Sequence, residues 1–164
     1  NYPSLVESGV HLKVNSSFLL KANKRKKMVY HTHFDNAVII VKIFPGISEE
    51  ILRSLFSIPA IKGVVLETYG AGNTTTKKWF IALISDMIKR GVPVVNVTQC
   101  IGGSVEMGKY DTSVALKNVG VISGKDITTE AAVAKLMYLL GEKLPLKVLK
   151  TIYETSLRGE MSEN

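Results

Sequence analysis

"GVVLETYGAGN", Gly63 to Asn73, is the stretch on which the fold turns. Its first half is a short, almost continuously apolar run. Its second half is a polar turn with glycine at 70 and 72 and asparagine at 73. A short run that is apolar throughout, without alternation, reads as a strand covered on both faces. Gly70 and Gly72 allow the positive φ of a sharp turn at its end. The next segment, "TTTKKWFIALISDMIKRG" (Thr74 to Gly91), places Phe80, Ile81, Ile84, Met87 and Ile88 on one helical face. Lys89 and Arg90 occupy its last turn, where the helix dipole favours cations, and Gly91 is placed to end it. The spacing predicts a helix beginning near Thr75.

Working outward, two further runs have the same character. They are "NAVIIVKIF" (Asn36 to Phe44) and "VPVVNVT" (Val92 to Thr98). Between the first run and the opening stretch lies "SEEILRSLFS", Ser48 to Ser57. Ser48 is a suitable N-cap, Glu49 and Glu50 suit the first turn, and Ile51, Leu52, Leu55 and Phe56 fall on one face. Towards the C-terminus, "VGVIS" (Val119 to Ser123) reads as a short fourth strand. "TTEAAVAKLMYLLG" reads as a helix capped by Thr128, and "PLKVLKTIYETS" as one with Pro145 in its first turn. Parallel strands joined through helices predict an α/β fold. The expected architecture is a small parallel sheet of about four strands flanked by helices, doubly wound in the flavodoxin-like manner. Residues 1–35 show partial alternation and no helical stripe. They read as a β-hairpin or strand-rich lead-in, and residues 36–164 as the α/β domain.

Composition bounds the rest. The chain of 164 residues is one ordinary domain in size, with 46% hydrophobic and 21% charged residues. Its net charge of +7 is local: residues 1–30 hold six basic residues and one acid. Lys21, Lys24, Arg25, Lys26 and Lys27 form the cluster. No nucleic-acid motif or interleaved aromatic residue accompanies it, so a solvated turn of the lead-in is expected, and no nucleic-acid partner. One cysteine, Cys100, permits no internal disulfide and suits a reducing compartment. No run approaches the roughly 20 apolar residues of a membrane span. The first residues lack the pattern of a signal peptide, and the missing initiator Met fits a piece of a longer protein.

Ligands of open parallel sheets usually bind beyond the carboxyl ends of the strands. Three loops leave those ends: "PGIS", "YGAGN" and "QCIGGSVEMGKYD". In the second, Asn73 carries both a donor and an acceptor, and the amides opening the next helix would favour an anion. The dinucleotide pattern G-x-G-x-x-G fails, because Thr75 stands where its third glycine belongs. A plain strand-to-helix turn and a ligand-facing loop both remain open. In the third loop, Thr98, Gln99 and Cys100 stand at the strand end. A catalytic cysteine needs a histidine partner. The histidines, His11, His31 and His33, all lie in the lead-in, so Cys100 is read as buried or at a cleft edge. His31 and His33 would share a strand face, but without neighbouring carboxylates they are read as ordinary strand side chains, and no metal site is expected. Nucleophile-elbow, P-loop and HExxH patterns are missing.

Taken together, "FPGIS", "ETYGAGN", "VVNVTQC", "MGKYDTS" and "SLRGEMS" resemble, in order and spacing, the C-terminal domain of type I, cytoplasmic-class L-asparaginases. The opening "PSLVESGVHLKV" resembles the segment just after that family's interdomain linker. The resemblance implies hydrolysis of L-asparagine to L-aspartate and ammonia through a threonine nucleophile and a covalent acyl intermediate, with no cofactor. The nucleophile and its assisting threonine, aspartate and lysine belong to the N-terminal domain, which this chain lacks. Thr74 to Thr76 do not match the nucleophile motif, so no catalytic residue is expected here and the chain alone is expected to be inactive.

The resemblance further implies that this domain builds a homodimer, or a dimer of dimers, and completes the neighbour's active site. Asn73 matches the asparagine of the family's YGxGN motif beside the shared cleft. Tyr110, Asp111 and Ser113 match a second segment that approaches it. Some bacterial members bind asparagine as an effector, and Glu67, Asn73, Thr98, Gln99 and Cys100 fall at that site. Those members carry arginine where Glu67 stands. An acid there repels the carboxylate that an arginine fork would grip and could instead meet an ammonium group. The implied partners are the protein's own N-terminal domain, a second copy and L-asparagine, with no membrane and a cytoplasmic location. The same domain occurs in a tRNA-dependent amidotransferase subunit and in lysophospholipase-like homologues. A free-standing amino-acid-binding or dimerisation module is the alternative of a different class.

Overall fold

A computed structural model describes residues 4–21, 27–75, 77–109 and 111–163. The core is a four-stranded parallel sheet of β3 (Val38–Lys42), β4 (Gly63–Thr68), β5 (Val94–Thr98) and β6 (Ile122–Ser123), in that spatial order. Before it comes an antiparallel hairpin, β1 (Val6–Ser8) with β2 (Leu12–Val14). The helices are α1 (Glu49–Phe56), α2 (Lys78–Lys89), α3 (Asp111–Val119), α4 (Thr129–Gly141) and α5 (Leu146–Tyr153). The expected α/β sheet with helices on both faces and a hairpin lead-in is the architecture observed.

The pleat divides the core in two. Val41, Val64, Leu66 and Val94 point to the side where α1 and α2 bring Leu52, Phe56, Phe80, Leu83, Ile84 and Met87, joined by Leu116 of α3. Val65, Val95, Val97 and Ile122 point to the other side, against Ala132, Leu136 and Leu139 of α4 and Leu149 and Tyr153 of α5. Strand order rises steadily across the sheet. Successive right-handed crossovers therefore step in one direction and lay their helices on one face, leaving the second face to α4 and α5.

Local chemistry sets the helix ends. Ser48 Oγ accepts from the Ile51 N–H at 3.4 Å, and Thr128 Oγ1 from the Ala131 N–H at 3.2 Å. Helix α2 begins at Lys78, later than expected near Thr75. Pro145 is the residue just before α5 and not within its first turn.

Three sequence expectations are corrected. Ile51 is 67% exposed, so the α1 core face is Leu52 and Phe56 with half-buried Leu55. The third loop, read over Gln99 to Asp111, gives way at Asp111 to an unexpected α3 that runs to Val119, so only β6, two residues long, remains of the strand expected over 119–123. Gly120, at φ +100°, ends α3 there. The hairpin turn is at residues 9–11, so the basic cluster lies after it; Lys24, Arg25 and Lys26 fall outside the described residues. Among the described residues no helix is long and apolar enough to cross a membrane.

Candidate functional site

The carboxyl ends of β4 and β5 turn polar on the face that carries α1 to α3. Thr68, Asn96 and Thr98 follow Leu66 and Val94 there, with Leu66 opposite Asn96 and Thr68 opposite Thr98. Burial of three polar side chains is informative because each needs a partner. Thr68 Oγ1 donates to Asn96 Oδ1 at 2.7 Å, and Asn96 Nδ2 donates to the Gly72 carbonyl at 3.2 Å. Thr98 Oγ1 donates to the Gly70 carbonyl at 2.6 Å and accepts from the Cys100 N–H at 3.0 Å. The glycine loop is thus tied down from the neighbouring strand at both of its glycines.

Its backbone closes on itself as well. Tyr69 and Asn73 exchange two N–H···O bonds, each 2.8 Å. Gly70 has φ +50° and Gly72 φ +100°. A Cβ on Gly72 would stand 2.8 Å from Val105 Cγ1 and 3.0 Å from Asn96 Nδ2, so the approach of the third loop requires glycine there. The third loop is anchored by the Glu106 N–H on the Ala71 carbonyl at 2.9 Å.

Asn73 is therefore held in a fixed place at the rim, half-buried. Its Oδ1 accepts from Thr112 Oγ1, at the start of α3, at 2.9 Å. Among the described residues its Nδ2 has no hydrogen-bond partner, which leaves an amide N–H₂ to meet an acceptor from outside. Asp111 opens α3. Ser113 is fully buried, and its Oγ accepts from the Gly108 N–H at 3.1 Å, bracing the third loop. Tyr110 lies outside the described residues. Thr74 follows directly, and its buried Oγ1 has no hydrogen-bond partner among the described residues. It borders a cavity of about 260 Å³ walled by Phe44, Tyr69 and Trp79.

The five residues of the candidate effector site spend their side chains in different directions. Alternation sends Glu67 to the opposite face from Thr68. There its Oε1 accepts from Thr129 Oγ1 at 2.6 Å, and its Oε2 lies 3.7 Å from Lys42 Nζ. Gln99 Nε2 donates to the Ile43 and Glu67 carbonyls at 2.7 and 2.9 Å, clamping β3 to β4. Cys100 is exposed, neither buried nor paired, at the outer edge of its loop. His31 does not sit on a strand: its Nδ1 lies 3.2 Å from Glu142 Oε1, and its ring meets Tyr138 edge-on at 5.1 Å.

Three residues of the rim, Thr68, Asn96 and Thr112, were missed from sequence. Asn96 gave one signal, a polar side chain within "VVNVT" where every neighbour is β-branched. Thr112 gave none, since its role depends on α3 meeting Asn73.

Fold and rim together define an α/β domain whose carboxyl-end loops form one braced edge and present an asparagine amide. The chain belongs to the family described as the Glutaminase/Asparaginase C-terminal domain, whose model matches residues 37–153. It is 36% identical over 163 residues to "L-asparaginase 1" of Escherichia coli (strain K12), covering 99% of this chain and 47% of that protein. It is 37% identical over 163 residues to the "60 kDa lysophospholipase" of Homo sapiens, covering 99% of this chain and 28% of that one. The crystal structure of L-asparaginase I from Vibrio cholerae matches with a TM-score of 0.87 and 36% identity, over 99% of this chain and 48% of the other. The chain spans about half the length of the bacterial relatives it matches.

Proposed function

We propose that this chain is the C-terminal half of an L-asparaginase, which hydrolyses L-asparagine to L-aspartate and ammonia. The threonine nucleophile is supplied by a preceding half, and no cofactor takes part. This half completes the cleft of a neighbouring subunit in a cytoplasmic homodimer or dimer of dimers. Asn73 is the residue that reaches substrate, with Tyr110, Asp111 and Ser113 shaping the same edge. One observation carries this reading: Asn73 is locked by Tyr69 and Thr112, yet its Nδ2 is unspent among the described residues. A pre-positioned amide donor facing outward suits the carboxylate or side-chain carbonyl of asparagine.

The chain alone lacks the nucleophile and is inactive. Of the residues matched to an effector site, Glu67 faces α4, apart from Asn73, Thr98, Gln99 and Cys100, so an effector that met it would be selected by the acid alone, for an ammonium group in place of a carboxylate. The human relative favours one other reading, hydrolysis of lysophospholipid by the same full-length arrangement.

Ammonia release from asparagine and glutamine, and fatty-acid release from lysophospholipid, each measured on the full-length protein, test these readings. Asparagine is the expected substrate. Asn73→Ala in the full-length protein lowers kcat/KM about 10- to 100-fold, the scale of one hydrogen bond to a charged group. Wild-type kinetics in that variant, or turnover by the 164-residue chain alone, would sink the proposal. Effector affinity unchanged in Glu67→Gln would remove the effector site.

A further inference from the structure

An apolar hollow lies away from the rim. Between the lead-in, α4 and the C-terminal segment is a cavity of about 430 Å³, within the range that holds a small organic ligand. Val29 and Phe34 of the lead-in form one wall, Ala131 and Ala134 of α4 the floor, and Leu157 the far side. Tyr138 stands at its edge, in ring contact with His31 at 5.1 Å and Phe34 at 6.2 Å. The aromatic groups give flat contact area for a planar or chain-like apolar body.

The charges decide what such a body carries. Lys135 and Arg158 border the cavity, against the single carboxylate of Glu160, so the lining is net positive by one. Lys135 is already satisfied: its ammonium donates to Glu160, to the Thr155 carbonyl at 2.7 Å and to Met161 Sδ at 3.1 Å. Glu160 is also spent, on Lys135 and on the N–H groups of Leu157 and Arg158. His31 faces Glu142. The guanidinium of Arg158 lies over the Tyr138 ring at 5.0 Å and, among the described residues, forms no ion pair. An aromatic edge that already holds a guanidinium excludes a cationic ligand. The exposed fork of donors at the cavity mouth suits a carboxylate.

We infer that this cavity is a binding site, separate from the rim, for a compact apolar monocarboxylate whose body lies on Ala131, Ala134, Phe34 and Leu157 and whose carboxylate meets Arg158.

The probe is 2-naphthoate, with 2-naphthylmethanol as its uncharged counterpart, titrated into the 164-residue chain and followed by amide nitrogen–proton shifts. Saturable shifts are expected at Ala131, Ala134, Tyr138 and Leu157. Ala134→Phe, at an exposed helix position, plugs the floor and abolishes them. Should that variant lose its dispersed spectrum, Leu157→Ser, which strips one wall, takes its place. Arg158→Gln weakens naphthoate about three- to fivefold, the scale of one exposed ion pair, and leaves the alcohol unchanged. No saturable shift, shifts confined to other residues, or undiminished binding in the floor or wall variant overturns the site. Equal binding of acid and alcohol, or an Arg158→Gln variant that binds naphthoate as the parent does, overturns the assignment of an acid.

Discussion

The α/β body and the lead-in before it carry similar side chains under opposite circumstances. In β4 and β5 every residue but Glu67 is buried. In β1 and β2 every residue is exposed, including Val6, Leu12 and Val14. The body owes its order to apolar area shared between a sheet and helices on two faces. The hairpin owes its order to three paired positions, a Lys13–Glu7 contact at 3.3 Å and three bonds donated by Asn15, to Leu5, Ser4 and Glu7. A two-stranded hairpin of that kind is marginal by itself in water. The contrast teaches that apolar composition does not set stability; it is the second face that does. The two regions join at Asp35, whose carboxylate takes Lys62 at 2.6 Å and the Ala37 N–H at 3.1 Å, and whose own N–H meets the Met137 carbonyl.

The comparison breaks most directly in the body. Phe80 of α2 is wholly buried between α1, α3 and the sheet. Phe80→Ala removes its ring and leaves a cavity, at a cost of about 3–5 kcal/mol. Urea unfolding followed by circular dichroism measures this. A loss below about 1 kcal/mol would mean the two-faced core is not what holds the body.

The second effect falls on the C-terminal clasp, where Lys135 of α4 grips Glu160. Burial alone would raise the Glu160 pKa. The bond from Lys135 and the N–H groups of Leu157 and Arg158 outweigh it and hold the carboxyl down to about 2 from 4.5. A carboxyl whose folded pKa is depressed stabilises the fold fully above its unfolded value, and that contribution disappears as pH falls through the folded one. Stability on the order of 2 kcal/mol is therefore expected to vanish from about pH 4.5 down towards 2, after allowance for partial solvent contact. Urea midpoints compared at neutral pH and at about pH 3 give the slope, and Glu160→Gln removes this part of it. An unchanged slope in that variant would mean the clasp does not stabilise the body.

Much of the body was legible because its signals are local. Ser48 and Thr128 announce their helices, and the Val-rich runs announce strands with two covered faces. β3 shows where that logic weakens: it reads like β4, yet Ile40 is 52% exposed because an edge strand has one fewer neighbour. Helix α3 was invisible because only Leu116 and half-buried Val119, both in its second half, meet the apolar core, so no stripe repeats along it. At the rim, Asn73 could be named from its motif, whereas the bracing by Thr68, Asn96 and Thr112 depends on register between strands and on α3. Spacing within one segment cannot reveal partners that lie 28 or 39 residues apart.

The smallest expected effect is in the lead-in, and it sharpens the comparison. Leu12 is 69% exposed and sits opposite Ser8. Leu12→Ser removes an apolar side chain that buries little in this chain, so the unfolding free energy of the 164-residue chain should change by less than about 0.5 kcal/mol. A loss above about 1 kcal/mol would show that the hairpin packs on the body and that the two regions are one cooperative unit. The same substitution in the full-length protein asks the complementary question. If the preceding half covers β1 and β2, Leu12 acquires there the second face it lacks here. The loss should then rise to the roughly 2 kcal/mol or more of a buried leucine. Equal small losses in both lengths would leave the hairpin solvated in each and assign the cover of its apolar side to nothing in the longer protein.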